Sequence, residues 1–205
     1  MPHRRGLRAV LGRAFLRLNG WTVVGTLPPT RKYVLLSAPH TSNWDFAYLL
    51  AIGGVMGFDP HWIGKHSLFR GPMGPVMRAL GGIAVDRRSR NNLVEQVVQA
   101  FQTADEFVLA IAPEGTRRKS THWKTGFYYM AQGAGVPLQL GFLDYAKKCG
   151  GFGPVLTPSG DLQRDMATMR DYYAGVEGRF PQHASPVITR DQEPAPDADR
   201  LQQNR

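Results

Sequence analysis

Cysteine is nearly absent from the sequence, because Cys149 is the single one among 205 residues. One cysteine excludes a disulfide within the chain and gives no paired spacing for a structural zinc site, so the chain suits a reducing compartment. Long apolar runs are also missing. The longest run of apolar residues and glycine is FAYLLAIGGVMGF, positions 46–58, whereas a membrane-spanning helix needs roughly 20 residues. We therefore expect no spanning segment, and any contact with a bilayer should be at its surface.

Acidic residues are missing from the first 44 positions. The formal net charge is +9, and this acid-free stretch holds the basic residues Arg4, Arg5, Arg8, Arg13, Arg17, Arg31 and Lys32. Such a concentration favours an anionic partner, which could be a membrane face, a phosphorylated small molecule or nucleic acid. We expect no nucleic acid, because no recognisable module motif occurs and the charge does not lie beside stacking aromatic residues.

The N-terminal segment RRGLRAVLGRAFLRLNGW has helical periodicity. Apolar residues recur at Leu7, Val10, Leu11, Ala14, Phe15 and Leu18, and the arginines fall mainly elsewhere on the helix. The pattern predicts a basic amphipathic helix over residues 1–20 that lies on an anionic membrane surface. The alternative is an ordinary surface helix that packs on the core.

The rest of the chain alternates between strand and helix patterns. We expect strands at 33–38, 80–87, 106–111 and 137–145, and helices at about 43–56, 91–104 and 126–135. This order predicts an α/β fold with a single-domain mixed sheet flanked by helices over residues 21–180, in which ligands bind beyond the carboxyl ends of strands. Residues 181–205 are polar and proline-bearing, so we expect a flexible tail.

His40 and Asp45 follow the strand expected at 33–38, in the segment SAPHTSNWD. Pro39 favours an extended Ala38, so His40 should lie in the turn before the next helix. A turn of this kind can fold His40 back over Asp45. The competing interpretation is a capping box, in which Ser42 caps the helix and Asp45 reaches back from the third helical position. On this segment alone the capping box is favoured.

A second polar segment, APEGTRRKS at 112–120, follows the strand expected at 106–111. Gly115 allows the backbone to approach a ligand closely, and an arginine guanidinium can bind two phosphate oxygens at once. A solvated turn would explain the basic run of Arg117, Arg118 and Lys119 as well, but not the proline, glycine and threonine at a strand end.

HTSNWD and PEGTR, in this order, resemble the first and third motifs of the glycerophospholipid acyltransferases, the family of lysophosphatidic acid acyltransferase. GGIAVDR, which ends at Arg87, resembles the second motif, and GVPLQLG resembles the fourth. The resemblance covers residues 33 to 145. Two departures are Pro39, where members of the family often have asparagine, and the fourth motif, which commonly has a second proline where this chain runs Leu138-Gln139-Leu140-Gly141.

The resemblance implies an O-acyltransferase that moves a fatty acyl group from acyl-CoA or acyl carrier protein, as co-substrate, to a hydroxyl of a lysophospholipid or related glycerol-phosphate acceptor. It implies His40 as general base, Asp45 as its orienting partner, and Arg87, Glu114, Gly115, Thr116 and Arg117 as the phosphate-binding set. No metal or other cofactor is implied. The enzyme would be cytoplasmic and peripheral on the cytoplasmic face of the membrane.

Two other functions remain as alternatives. One is a metal-dependent hydrolase that uses His40 and Asp45 with His61, His66 and His122, although their spacing matches no recognisable ligand set. The other is a non-catalytic module that binds anionic lipid through its charge.

Overall fold

The structure is a computed structural model that describes residues 2–85 and 90–193. Its helices and strands are α1 (Pro2–Leu18), β1 (Thr22–Val24), β2 (Lys32–Ala38), α2 (Trp44–Met56), β3 (Pro60–Lys65), α3 (Met73–Ala79), β4 (Gly82–Val85), α4 (Arg90–Thr103), β5 (Phe107–Ile111), α5 (Gly126–Ala134), β6 (Leu138–Asp144), β7 (Cys149–Leu156) and α6 (Leu162–Tyr173). Short 3-10 helices occupy His66–Phe69, Pro181–His183 and Arg190–Gln192. None of the helices described is long and apolar enough to cross a membrane.

The strands form one mixed sheet in the order β1-β7-β6-β2-β5-β3-β4. Every neighbouring pair is parallel except β6 and β7, which are antiparallel. The expected α/β fold with a mixed sheet flanked by helices is therefore confirmed.

Two hydrophobic layers cover the two faces of the sheet, and strand β2 shows how the sequence divides between them. Val34, Leu36 and Ala38 belong to the cluster that contains buried residues of α4, α5 and α6. Tyr33 and Leu35 point to the other face, where they pack with Phe58 and Phe152. Strand residues alternate between the two faces of a sheet, so a strand buried on both faces is apolar throughout.

The loops that follow β2 and β5 lie at the same edge of the sheet. The two strands are parallel neighbours, and their register pairs Leu36 with Ile111. The segment that begins at Pro39 therefore leaves the sheet beside the segment that begins at Ala112. The topology brings together two polar segments that are far apart in the chain.

Helix α1 packs closely against α2 through two glycines. A Cβ atom on Gly12 would lie 2.5 Å from the carbonyl oxygen of Ala51, and one on Gly54 would lie 2.6 Å from that of Arg8. Leu16, only 3% exposed, closes the contact together with Trp21. The opposite face of α1 exposes Leu7, Val10, Leu11 and Leu18. The helix thus both covers the core and presents apolar side chains to the outside.

Residues 177–193, which we call the C-terminal strap, run along the domain after α6. Thr189 is only 1% exposed, the backbone N–H of Trp123 donates to the carbonyl of Ile188 at 2.9 Å, and the side chain of Val187 packs on the core. Residues 181–193 of the expected tail therefore pack against the domain, because Thr189 is buried and Val187 is partly buried despite the polar composition around them. Residues 194–205 lie outside the described residues.

Candidate active site

His40 lies just beyond β2, and its imidazole faces Asp45 in the first turn of α2. The Nδ1 atom of His40 is 3.0 Å from Oδ2 of Asp45. An ionised carboxylate can only accept, so this contact requires the proton of a neutral imidazole on Nδ1 and leaves Nε2 as an acceptor. The His40 side chain is 25% exposed whereas Asp45 is buried. One ring nitrogen is thus oriented by the protein, and the geometry leaves the other as the proton acceptor.

Asp45 accepts four hydrogen bonds through its two carboxylate oxygens. Besides His40, the backbone N–H groups of Thr41 and Ser42 donate to Oδ2 at 3.0 and 2.9 Å, and the hydroxyl of Tyr145 donates to Oδ1 at 2.6 Å. Burial alone would raise the pKa of Asp45, but the hydrogen bonds from His40, Tyr145 and Ser42 lower it below its usual range. The carboxylate is therefore held ionised next to the imidazole.

The expected capping box is present only in part. The N-cap of α2 is Asn43, which makes no side-chain cap bond, rather than Ser42. Asp45 does reach back to the N–H of Ser42, but the hydroxyl of Ser42 accepts from the N–H of Trp44 at 3.2 Å. The two interpretations of Asp45 are compatible, because Oδ2 serves both the backbone turn and the imidazole.

Glu114, from the loop after β5, fixes the backbone of His40. Its Oε1 atom accepts the N–H of His40 at 3.0 Å, and its Oε2 atom is buried without a hydrogen-bond partner among the described residues. Burial raises the pKa of Glu114, and the bond from the His40 N–H opposes that shift. The acidic residue of PEGTR is thus a buried support beneath His40, rather than an exposed group that faces a ligand.

Gly115, Thr116 and Arg117 complete the turn of this loop. The N–H of Gly115 donates to Ala112 at 3.0 Å, and its φ of +65° lies in the left-handed region that favours glycine. The hydroxyl of Thr116 accepts from the N–H of Arg118 at 3.3 Å. The guanidinium of Arg117 donates to Oδ1 of Asn43. Arg117 is therefore joined to the residue that begins α2, beside the His40 turn.

The other residues named for the expected sites do not join the His40 turn in the part of the chain that the structure describes. Arg87 lies outside the described residues. His61 lies early in β3, at the level of Leu109, and His122 contacts Glu193. Across residues 2–85 and 90–193, no three His, Cys, Asp or Glu side chains are grouped to hold a metal ion. The described residues therefore contain no metal-ligand set for a metal-dependent hydrolase.

Sequence reasoning missed two residues of the site. Tyr145, which binds Asp45, follows β6, and β6 pairs with β2 in the sheet. Lys124 lies against the PEGTR loop, because a Cβ atom on Gly115 would be 2.6 Å from its Nζ atom. The sequence held one usable signal for Tyr145, namely its position directly after an apolar strand pattern. For Lys124 there was none, since only the folded loop brings it back over Gly115.

The chemistry available at this edge is proton transfer next to a loop that carries positive charge. An oriented imidazole with an acceptor Nε2 can take a proton from a hydroxyl group, and the carboxylate of Asp45 stabilises the imidazolium that forms. Arg117 and Lys124 supply positive charge close by. The arrangement suits a nucleophilic hydroxyl on a molecule that carries a negative charge.

Comparisons with known proteins agree with this chemistry. A family model described as acyltransferase matches residues 22–139, more than half of the chain. Among solved structures, the fold is similar to that of the 1-acyl-sn-glycerophosphate (LPA) acyltransferase PlsC from Thermotoga maritima, with a TM-score of 0.57 and 17% sequence identity. The match covers 83% of this chain and 75% of that one. No curated protein matches the chain in sequence.

Proposed function

The chain belongs to the acyltransferase family, and we propose that it is an O-acyltransferase in which His40 and Asp45 act as a general-base dyad. The donor is a fatty acyl thioester of coenzyme A or acyl carrier protein. The acceptor is a hydroxyl group of a lysophospholipid or a related glycerol-phosphate compound. The observation that carries the proposal is the bond between His40 and Asp45, together with the bond that the backbone N–H of the same histidine donates to Glu114.

The proposed reaction needs no nucleophile from the protein, because the thioester is already activated. Nε2 of His40 takes the proton of the acceptor hydroxyl while the oxygen attacks the thioester carbonyl. The carbon–sulfur bond then breaks, and the imidazolium returns its proton to the thiolate. A neutral imidazole can accept the first proton and the resulting imidazolium can donate it again, so one side chain serves both proton transfers. Atoms and charge balance without a bound metal or further cofactor.

The acceptor phosphate is assigned to the PEGTR loop and its neighbours. Arg117 carries a positive charge beside the His40 turn, and its bond to Asn43 supports this role. Gly115 and Thr116 shape the loop and Glu114 holds it against His40. Arg87 belongs to the proposed set through the family resemblance alone.

A peripheral location on the cytoplasmic membrane face is part of the same proposal. Acceptor and product are membrane lipids, and α1 has exposed apolar side chains with Arg13 and Arg17 on its exposed surface. Such a helix can lie in the interface of an anionic bilayer. The enzyme would then take its acceptor from the lipid surface.

The proposal is tested by incubating the protein with acyl-CoA or acyl carrier protein and a panel of lyso-lipids, with products identified by mass spectrometry. His40→Ala should abolish transfer in a folded protein, and Asp45→Asn should reduce it by orders of magnitude because the wrong tautomer is populated. His61→Gln is the matched control and should retain activity. Wild-type protein that acylates no acceptor, or a folded His40→Ala variant with substantial turnover, would refute the proposal.

A further inference from the structure

Arg179, in the C-terminal strap, lies beside Trp44 at the start of α2 without an acidic partner among the described residues. Its side chain is exposed, and no carboxylate of the described residues forms an ion pair with it. The Cζ atom is 5.8 Å from the ring centroid of Trp44 and 5.8 Å from that of Phe180. Both distances fall within the range of a cation–π contact. The guanidinium is therefore held by aromatic faces rather than by a countercharge.

The backbone around Arg179 is fixed to the turn that carries His40. The N–H of Phe180 donates to Oγ1 of Thr41 at 3.2 Å, and the N–H of Tyr145 donates to the carbonyl of Glu177 at 2.9 Å. Gly178 fits so closely that a Cβ atom there would lie 2.8 Å from Oγ1 of Thr41. Bonds on both sides of Arg179 thus tie it to the site that holds Asp45.

The charge of Arg179 reaches the groups around Asp45. Burial raises the pKa of the Tyr145 hydroxyl, which binds Asp45, and the positive charge of Arg179 acts against that rise. The same two effects act on Tyr48. On the other side of the turn, Arg117 binds Asn43, the residue before Trp44. Two guanidinium groups therefore contact consecutive residues at the start of α2.

We propose that Arg179 is a second phosphate-binding residue of this active site, paired with Arg117 across Asn43 and Trp44. A contact with an aromatic ring does not use up the hydrogen-bonding capacity of the guanidinium N–H groups, and those groups are the part that binds phosphate oxygens. Arg179 lies beyond the residues that the family model matches. The inference rests on the proposed acyl transfer and extends it, since the phosphate belongs either to the acceptor or to the coenzyme A donor.

Two pairs of substrates distinguish these sources. The acceptors are lysophosphatidic acid and monoacylglycerol, which lacks the phosphate. The donors are acyl-CoA and the acyl thioester of N-acetylcysteamine, which lacks the phosphates of coenzyme A. In Arg179→Ala we expect KM to rise about tenfold to a hundredfold for the phosphorylated member of one pair, with kcat changed less than about threefold. Arg179→Lys should restore part of the loss, and Arg164→Ala, an exposed arginine on α6, is the control.

The result also separates this inference from the proposed function. A uniform effect of Arg179→Ala on all four substrates, or no effect, overturns the phosphate assignment while acyl transfer stands. If the wild-type protein has no transferase activity, calorimetric titration with glycerol 3-phosphate and with coenzyme A still decides the matter. Weaker binding of either probe to Arg179→Ala than to Arg164→Ala supports the phosphate site, and equal binding of both probes to the two variants overturns it.

Discussion

At the scale of single residues, Asp45 shows how one carboxylate can support both a turn and a reaction. The backbone bonds from Thr41 and Ser42 fix the path of the chain between β2 and α2. The same oxygen also accepts a hydrogen bond from Nδ1 of His40. Because turn and imidazole share an acceptor, a change that moves the turn also moves the base. This coupling explains why local capping and a catalytic role need not compete.

Tyr145 provides a direct test of that coupling. Tyr145→Phe removes the donor to Oδ1 of Asp45, which should raise the pKa of Asp45 and strengthen its hold on the proton of His40. We expect kcat/KM to fall by about 3- to 30-fold, which corresponds to part of the roughly 1.5–3 kcal/mol that a hydrogen bond to a charged group contributes. We also expect the acidic limb of the pH–rate profile to move to higher pH. Tyr129→Phe, on an exposed tyrosine of α5, is the control. An unchanged profile would mean that Tyr145 is only a packing residue.

Glu114 should make stability depend on pH in a defined direction. Its pKa in the folded protein is raised above the unfolded value by burial. The proton therefore stabilises the fold at pH values below the unfolded pKa, and this contribution is lost as pH rises through the folded pKa. Gln at this position keeps an acceptor for the N–H of His40 and carries no charge. Relative to wild type, Glu114→Gln should thus gain stability as pH increases.

Thermal unfolding between pH 4 and pH 8 measures that difference. We expect the melting temperature of Glu114→Gln to rise relative to that of wild type as pH increases, and to be the higher of the two at pH 8. The corresponding difference in the free energy of unfolding at pH 8 should be about 1–3 kcal/mol. Glu95→Gln, at an exposed position of α4, should show no such trend. A difference that shrinks as pH rises would contradict the assignment of a raised pKa.

At the scale of secondary-structure elements, strong periodicity made half of the fold predictable. The apolar runs of β2, β5 and β6 and the helical patterns of α1, α2, α4 and α5 identify those elements directly. β7 was missed because CGGFGPVL contains the glycines and proline typical of a turn. α6 was missed although Met166, Met169 and Tyr173 recur at helical spacing and are all buried. That signal was present in the sequence and could have been used.

The candidate site was predictable where motifs are local and unpredictable where contacts cross the sheet. His40 and Asp45 are five positions apart, so a turn alone can join them. Tyr145 lies a hundred residues beyond Asp45, and Arg179 farther still. Their proximity depends on the order of β6, β2 and β5 in the sheet, which periodicity within one segment does not encode. The sequence therefore predicts the dyad but not its surroundings.

The prediction that α1 binds a membrane surface can be tested on its exposed face alone, because its other face packs on α2. Deletion of residues 1–20 would remove Leu16, which is buried, and would damage the core as well as any lipid contact. Substitution of the exposed residues Leu7, Val10 and Leu18 with Gln changes only the outer face and preserves helix propensity. We expect this triple variant to bind anionic vesicles at least about tenfold more weakly, because each apolar side chain contributes roughly 1.5–3 kcal/mol when fully buried.

Vesicle co-sedimentation at low and high salt gives the measurement for α1. Wild-type binding should weaken as salt rises, since the arginines of the helix attract anionic lipid. Tyr129→Gln removes an exposed aromatic residue from the other side of the sheet and should bind as wild type does. If the triple variant co-sediments as well as wild type while folded, α1 is an ordinary surface helix.

At the scale of the whole molecule, the C-terminal strap links elements that the sheet alone leaves apart. It contacts the His40 turn through Phe180, the end of the PEGTR loop through a bond from Ser120 to Ser185 at 2.9 Å, and α6 through a bond from Arg170 to Val187 at 2.9 Å. Both loops of the candidate site are therefore tied to one segment that lies outside the matched family region. The geometry of the site depends on a part of the chain that the motifs do not include.

Two truncations separate the strap from the polar end that follows it. A chain that ends at residue 193 should melt and turn over like the full protein, because residues 194–205 have the composition of a loose tail. A chain that ends at residue 180 loses the cover over Trp123 and the buried Thr189. Its melting temperature should fall by about 5 °C or more, since each kcal/mol corresponds to roughly 2–4 °C for a chain of this size.

Ser185→Ala, which removes only the contact with Ser120, should cause a smaller loss of stability with a measurable rise in KM. Equal melting temperatures for the chains that end at 180 and 193 would show that residues 181–193 of the strap do not contribute to the stability of the domain.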